Sequence, residues 1–340
     1  MKKSIKLLAI IAAVVMTVSV FAACGKSTEA TSSQPVTTSV PVVKTKVNIA
    51  TLKGPTGIGM TWLMDAADKG TAKNDYTYTI AAAPDEITGK LVSGALDIAA
   101  IPTNAAATLY NKTKGGVKLL SLNTLGVLYI LEDGDDIKSV ADLKGATIGA
   151  SGQGAVPEFV LNYVLKQNGI DPEKDVNVKW FDEHSELAAQ MLADKIEVAI
   201  VPEPFVTTIT MQEDDIRVAL NMTEEWDKVA DCTLSMGCIA VRTEFADKNP
   251  EAVKMFLEEY AASVQKANNS VDETAKLCVQ YEIVAKAPIA VSAIPRCNMV
   301  TVTGDEMVNQ IKGFYDLLYT FNPGLIGGAV PDDGFYYTAG

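Results

Sequence analysis

Histidine occurs once in this 340-residue chain, at His184, and that scarcity closes off several chemistries. A zinc site built on three histidines, or on an HExxH helix, cannot be assembled from it. A Ser–His–Asp triad would have to recruit His184, which sits among charges in FDEHSEL and reads as a solvated residue near a helix start. Cysteine is nearly as sparse. Beyond Cys24 there are Cys232, Cys238, Cys278 and Cys297, in no CxxC or Cys/His spacing. Three disulfide pairings, or free buried thiols, all remain open. Basic residues are outnumbered 29 to 42, for a formal charge of −13. So acidic a chain presents no surface to nucleic acid or anionic lipid. After the first two dozen residues, no apolar run approaches the roughly 20 residues that span a bilayer.

The first two dozen residues form a segment apart. Lys2, Lys3 and Lys6 precede LLAIIAAVVMTVSVFAA, an apolar run ending in small residues. This is the pattern of a signal peptide over residues 1–23 rather than of a spanning helix. Cys24 follows directly, and the junction resembles the lipobox of bacterial lipoproteins, with Phe21 where leucine is usual. The resemblance implies a lipid on Cys24 and an anchor on the extracytoplasmic face of the membrane. The Ser/Thr/Pro-rich stretch that follows, to residue 45, has no apolar period and reads as a flexible tether. Setting aside the three leader lysines, the charge becomes −16.

From residue 46 onward the chain repeats itself. VNIATL followed by the Gly-rich LKGPTGIGMTWL, and ATIGAS followed by GQGAVPEFVLNYVLKQNG, are two strand–loop–helix units about a hundred residues apart. EITGKLVSGALDIAAIP and ELAAQMLADKIEVAIVP align without a gap at an offset of one hundred. Each reads as an amphipathic helix, a turn, an acid (Asp97 or Glu197), a buried strand and a proline. Continuous runs such as IAAI and VAIV suit strands covered on both faces. The pattern predicts an α/β fold of two similar lobes with mainly parallel sheets flanked by helices. Residues 46–133 and 234–340 would form one lobe, with 134–233 inserted as the other, hinged near Leu131–Glu132 and Met236–Gly237. FNPGLIGGAVPDDGFYY reads as an ordered tail packed through its aromatics.

Enzyme templates fail on these loops. LKGPTGIG has no GK[ST] for a phosphate cradle. GIGMTW carries Trp62 where a dinucleotide fingerprint needs its third glycine. GASGQ ends in Gln153 where a nucleophile elbow needs glycine. No catalysis and no cofactor or metal are expected. Binding uses the same residues better. Four segments end a strand and open a helix or loop: KGPTGIGM, IPTNAA, GASGQGAVP and VPEPFVT. Facing lobes would point all four into one cleft, where helix N-termini and the side chains of Thr56, Thr103, Asn104, Ser151 and Gln153 suit a polar group. None of the four carries an arginine or histidine, so the expected ligand is neutral or singly charged, with Met60, Trp62 and Met236 as candidate apolar walls.

With these segments in hand, the chain resembles the type 2 periplasmic binding proteins of ABC importers. LKGPTGIG, KLVSGALDIAAIPTNAA, SVADLKGATIGASGQGAVPEFVLNYVLKQNGIDPEKDV and NPEAVKMFLEEYAASV resemble their nitrate/sulfonate/taurine and thiamine-pyrimidine-precursor branch. The resemblance implies ligand contacts at Thr56, Gly57, Thr103, Asn104, Ser151, Gly152, Gln153 and Glu203. It also implies a monomer that closes two lobes over its ligand and hands it to a membrane permease with its ATPase. The histidine and cysteine cluster of the pyrimidine branch is missing from these loops, as are basic residues for a sulfonate. A lipid-anchored enzyme and a ligand sensor are the alternatives that the same cleft would serve.

Overall fold

The computed structural model describes residues 44–338; the expected leader, Cys24 and the linker up to residue 43 lie outside them. Among the described residues eleven strands form two sheets. The first contains β1 (Lys46–Leu52), β2 (Asp75–Ala81), β3 (Ile98–Pro102), β4 (Val117–Thr124), β10 (Gly237–Arg242) and β11 (Met299–Val302). Its spatial order is β11-β4-β10-β3-β1-β2. The second contains β5 (Leu128–Asp133), β6 (Thr147–Ser151), β7 (Asn177–Phe181), β8 (Val198–Pro202) and β9 (Ile216–Asn221), in the order β7-β6-β8-β5-β9.

The two sheets share a plan, and the hundred-residue repeat is its cause. β3 and β8, offset by one hundred, each take an interior place in their sheet. Each pairs in parallel with the strand of the preceding strand–loop–helix unit, β1 or β6, and antiparallel with a strand that arrives from the other lobe, β10 or β5. That last pairing corrects the expectation of mainly parallel sheets. Four of the nine strand pairings are parallel and five antiparallel. A strand that crosses between lobes enters its sheet from the opposite end, so it must run against its neighbours.

The crossings also move the expected boundary. Leu131 and Glu132 are interior to β5 and paired on both sides, with Ala199 and Val198 of β8 and with Val218 and Arg217 of β9. They cannot act as a hinge without breaking two ladders. The chain leaves the first sheet at Thr124 and enters the second at Leu128; the return follows the short helix Met222–Asp227 and ends at Gly237. Gly126 lies against that return: a Cβ there would sit 2.1 Å from Thr223 Oγ1 and 2.9 Å from Leu234 Cδ2. Only glycine lets the two crossings run this close.

Helices cover the sheets for reasons visible in their sequences. Pro55 opens helix Pro55–Asp68, where its fixed φ suits the first turn. Ile58, Met60, Leu63 and Met64 of that helix are at most 2 % exposed, and Ser263 of helix Pro250–Asn269 donates to Gly59 O at 2.6 Å. Full burial of each such apolar side chain contributes about 1.5–3 kcal/mol. Helix Val156–Gln167, from the second half, meets the C-terminal helix Gly304–Phe321 through an aromatic cluster. Phe159 lies 5.7 Å from Trp226, 5.9 Å from Phe314 and 5.2 Å from Phe321, ring centre to ring centre. The tail packs as its aromatics suggest: Phe335 is fully buried 4.9 Å from Tyr110, and Tyr337 N–H donates to Leu119 O. All four described cysteines are free.

Candidate functional site

The carboxyl ends of β1, β3 and β8 converge on a cavity of about 660 Å³, in the range of small-molecule sites. The first half contributes Leu52–Thr56, Ala82, Pro102, Val279, Glu282–Ala285 and Ile289. The second contributes Glu183, His184, Pro202–Phe205 and Thr208, while Thr124, Val127, Met236 and Gly237 floor it at the crossings. The wall is largely apolar, and Val279, 39 % exposed, is one of few large hydrophobic side chains left open to solvent among the described residues.

The expected contacts divide into three groups. Thr56 and Glu203 line the cavity. Ser151 lies behind it, 1 % exposed, with its Oγ hydrogen-bonded to Nδ1 of His184, which does line it. Gly57, Thr103, Asn104, Gly152 and Gln153 are not on the cavity wall. Gly57 is a packing residue: a Cβ there would lie 2.4 Å from Leu52 O and 3.2 Å from Ile283 Cγ2. Thr103 is fully buried, its hydroxyl donating to Ser235 O at 2.7 Å. Of the three candidate walls, Met236 alone lines the cavity. Met60 is core, and Trp62 lies outside, donating to Thr274 Oγ1 at 2.9 Å beneath the Lys266 ammonium.

Two features escaped the sequence reading. His184 is not a solvated residue. Its ring packs 5.6 Å from that of Phe205, and burial pulls its pKa below the ordinary 6.5 against a weaker upward push from Glu183. Charged neighbours in FDEHSEL concealed this, because helix His184–Met191 turns them outward while its first residue faces the end of β6.

The second is Arg296, from a turn nearly a hundred residues downstream of Glu203. Its Nε donates to Glu203 Oε1 at 2.5 Å and its Nη2 to Thr207 Oγ1 at 2.7 Å. Thr207 also donates to Glu203 through its backbone N–H and hydroxyl. Tyr129 O–H donates to Arg296 O at 3.3 Å. This clasp joins the two halves beside the cavity. Burial raises the Glu203 pKa above the ordinary carboxylate value, and Arg296 and Thr207 pull it part of the way back. Glu203 is thus held by protein groups on both oxygens.

Ser151 and His184 do not make a nucleophilic pair. The serine is off the cavity wall, and the only other group on its Oγ among the described residues is the ring it orients. No group of three or more His, Cys, Asp or Glu able to hold a metal occurs among the described residues, and no described helix is long and apolar enough to cross a membrane.

Two sheets of one plan, an interlobe cavity at their strand ends and helices on both sheet faces define the two-lobed fold of periplasmic binding proteins. Solved structures share it. An ABC transporter protein from Parabacteroides distasonis superimposes with a TM-score of 0.74 at 23 % identity, covering 87 % of this chain and 100 % of that one. The periplasmic aliphatic sulphonate binding protein SsuA from Escherichia coli gives 0.68 at 15 %, covering 85 % and 94 %. A protein of Brucella abortus (strain 2308) is 29 % identical over 241 residues, 68 % of this chain and 71 % of its own length. The family model described as NMT1/THI5 like matches residues 91–274. The chain belongs to that family.

Proposed function

We propose that this protein is the extracytoplasmic solute-binding component of an ABC importer, tethered to the membrane through a lipid on Cys24. One observation carries the reading: an apolar cavity of small-molecule size lies between two lobes of one plan and is lined from both. A ligand that touches both lobes favours the closed arrangement by its differential affinity alone. The first lobe comprises the strands up to β4 with β10, β11 and the helices that follow; the second runs from β5 to β9. The crossings at Leu125–Val127 and before Gly237 are the natural pivots, since they are the segments between the two sheets' ladders. The aromatic cluster of Phe159, Trp226 and Phe314 supports the lobes away from the cavity. A ligand-loaded monomer then presents both lobes to the permease, and Cys24 acylation keeps it nearby.

Thermal unfolding of the protein against a small-molecule panel tests the binding reading. A hit at 100 times Kd adds about 2.7 kcal/mol, and the compound should be recovered chemically unchanged. Turnover of the compound would instead mark an enzyme. Cys24→Ser should move the protein from the membrane fraction to the medium, and its retention would refute the lipid anchor.

A further inference from the structure

Resting on that reading, we infer that the cleft takes an organic molecule with an apolar body and an uncharged hydrogen-bond acceptor, to which Nε2–H of His184 donates. An anion bound at strand ends is held by free N–H groups of helix N-termini. Here the chain spends part of them on itself. At the first loop, Lys53 N–H goes to Ala81 O, Gly57 and Ile58 N–H both go to Gly54 O, and Pro55 has none, which leaves Gly54 and Thr56 N–H without a partner among the described residues. Thr103 N–H goes to Met236 O. Two other helix starts already carry a carboxylate: Glu158 accepts from Gly154 N–H at 2.6 Å, and Glu203 from Thr207 N–H at 3.2 Å. Among the described residues Lys53 is the one fixed cation on the cavity wall, against Glu183 and Glu282, Glu203 being already paired with Arg296. An oxyanion would meet few free donors beyond Gly54 and Thr56 N–H, and a wall with more carboxylates than cations.

Ser151 fixes the tautomer of His184. Ser151 is 1 % exposed, and its hydroxyl has one partner among the described residues, His184 Nδ1. A buried O–H left without an acceptor costs the full desolvation of that group. The hydroxyl therefore donates to Nδ1, and the proton of the neutral ring sits on Nε2. Protonating the ring would force Nδ1–H against Ser151 and strand its hydroxyl, in line with the lowered pKa. His184 thus presents a neutral donor on the cavity wall, and Ser151 is its positioning residue. Thr124 supplies an independent pointer: it lines the same cavity, is 3 % exposed, and its Oγ1 has no partner among the described residues.

The sole histidine makes the test direct. Long-range ¹H–¹⁵N spectra of the protein show one imidazole, expected as the Nε2–H tautomer at pH 7; an Nδ1–H tautomer or an imidazolium overturns the inference. Ser151→Ala should release the tautomer preference without unfolding the protein, and an unchanged ring signature overturns the positioning role. Three probes of one skeleton, 2-naphthamide, naphthalene-2-sulfonate and 2-naphthylmethylammonium, are then titrated. The carboxamide should bind tightest and shift Nε2–H. His184→Phe should weaken it about tenfold, the loss of one neutral hydrogen bond, and His184→Gln, which keeps a donor, should restore most of that. Tightest binding by the sulfonate overturns the ligand class while leaving a binding cleft. No binding by any of the three overturns the class and counts against the binding reading together.

Discussion

Removing Arg296 should expose how the two lobes are held together. In Arg296→Ala the Glu203 carboxylate, whose side chain is fully buried, loses its only cationic partner among the described residues and keeps Thr207 alone. Breaking a buried ion pair from one side costs about 3–5 kcal/mol when the remaining charge stays dry. Arg296 is 37 % exposed in the intact pair, so water can reach the vacated place, and screening reduces the loss to about 2 kcal/mol. The sign of the pH dependence follows from linkage. Burial raises the pKa of Glu203 above its unfolded value, and loss of Arg296 raises it further. The folded variant then binds more protons than the unfolded chain from the ordinary carboxyl range near 4.3 up to the new folded pKa. Its stability falls as pH rises through that window, and the deficit is smallest below it. Urea denaturation at pH 4.5 and pH 7.5 reads this directly: the deficit should be larger at pH 7.5, and adding Glu203→Gln to the variant should remove most of the difference. A deficit equal at both pH values, or a double variant as impaired as the single one at pH 7.5, would refute the reasoning.

Other outcomes follow from the same geometry. Gly57→Val should lower the urea midpoint, because its Cβ has no room against Leu52 O and Ile283; overpacking of this kind costs about 1–3 kcal/mol, and an unchanged midpoint would contradict the packing role. Phe335→Ala should cost about 3–5 kcal/mol by detaching the tail from Tyr110 and Tyr315, measured by the same method. For His184 the linkage runs the other way from Glu203. Its folded pKa is depressed, so acidification from the ordinary value near 6.5 downward should cost stability in the wild type but not in His184→Gln. Reducing agent should leave Tm unchanged, since the four described cysteines are free. A thiol reagent should reach half-buried Cys232 before the buried three, slowly, because burial pushes its pKa up to about 11.

The architecture was legible because it is periodic. The pair of segments ending at Pro102 and Pro202 marks an interior strand of each sheet, and Pro55, Pro157 and Gly169 stand where helices open and close. The direction of the crossing strands is not legible in sequence, because the continuous buried run of β5 reads the same whichever sheet it joins; the partner, not the pattern, decides. The site was less legible. Gly57 looks like a ligand loop from its neighbours, yet its glycine answers to Ile283, more than two hundred residues away. His184 was discounted on the charges beside it, which a helix start turns outward. The wall from Val279 to Ile289 and the Arg296 clasp come from segments that end no strand, and only the tertiary fold brings them to the cavity.

The central claim is that the interlobe cavity captures a small molecule and releases it unaltered. Ala285, exposed on the cavity wall, allows it to be blocked without touching the core. Thermal unfolding should be followed for the wild type and Ala285→Trp with any panel compound that stabilises the protein, with mass analysis of the compound afterwards. Stabilisation of about 4 °C at 100 times Kd, lost in Ala285→Trp, with the compound recovered intact, is the predicted result. Stabilisation that survives the tryptophan, or a compound that comes back changed, would contradict it.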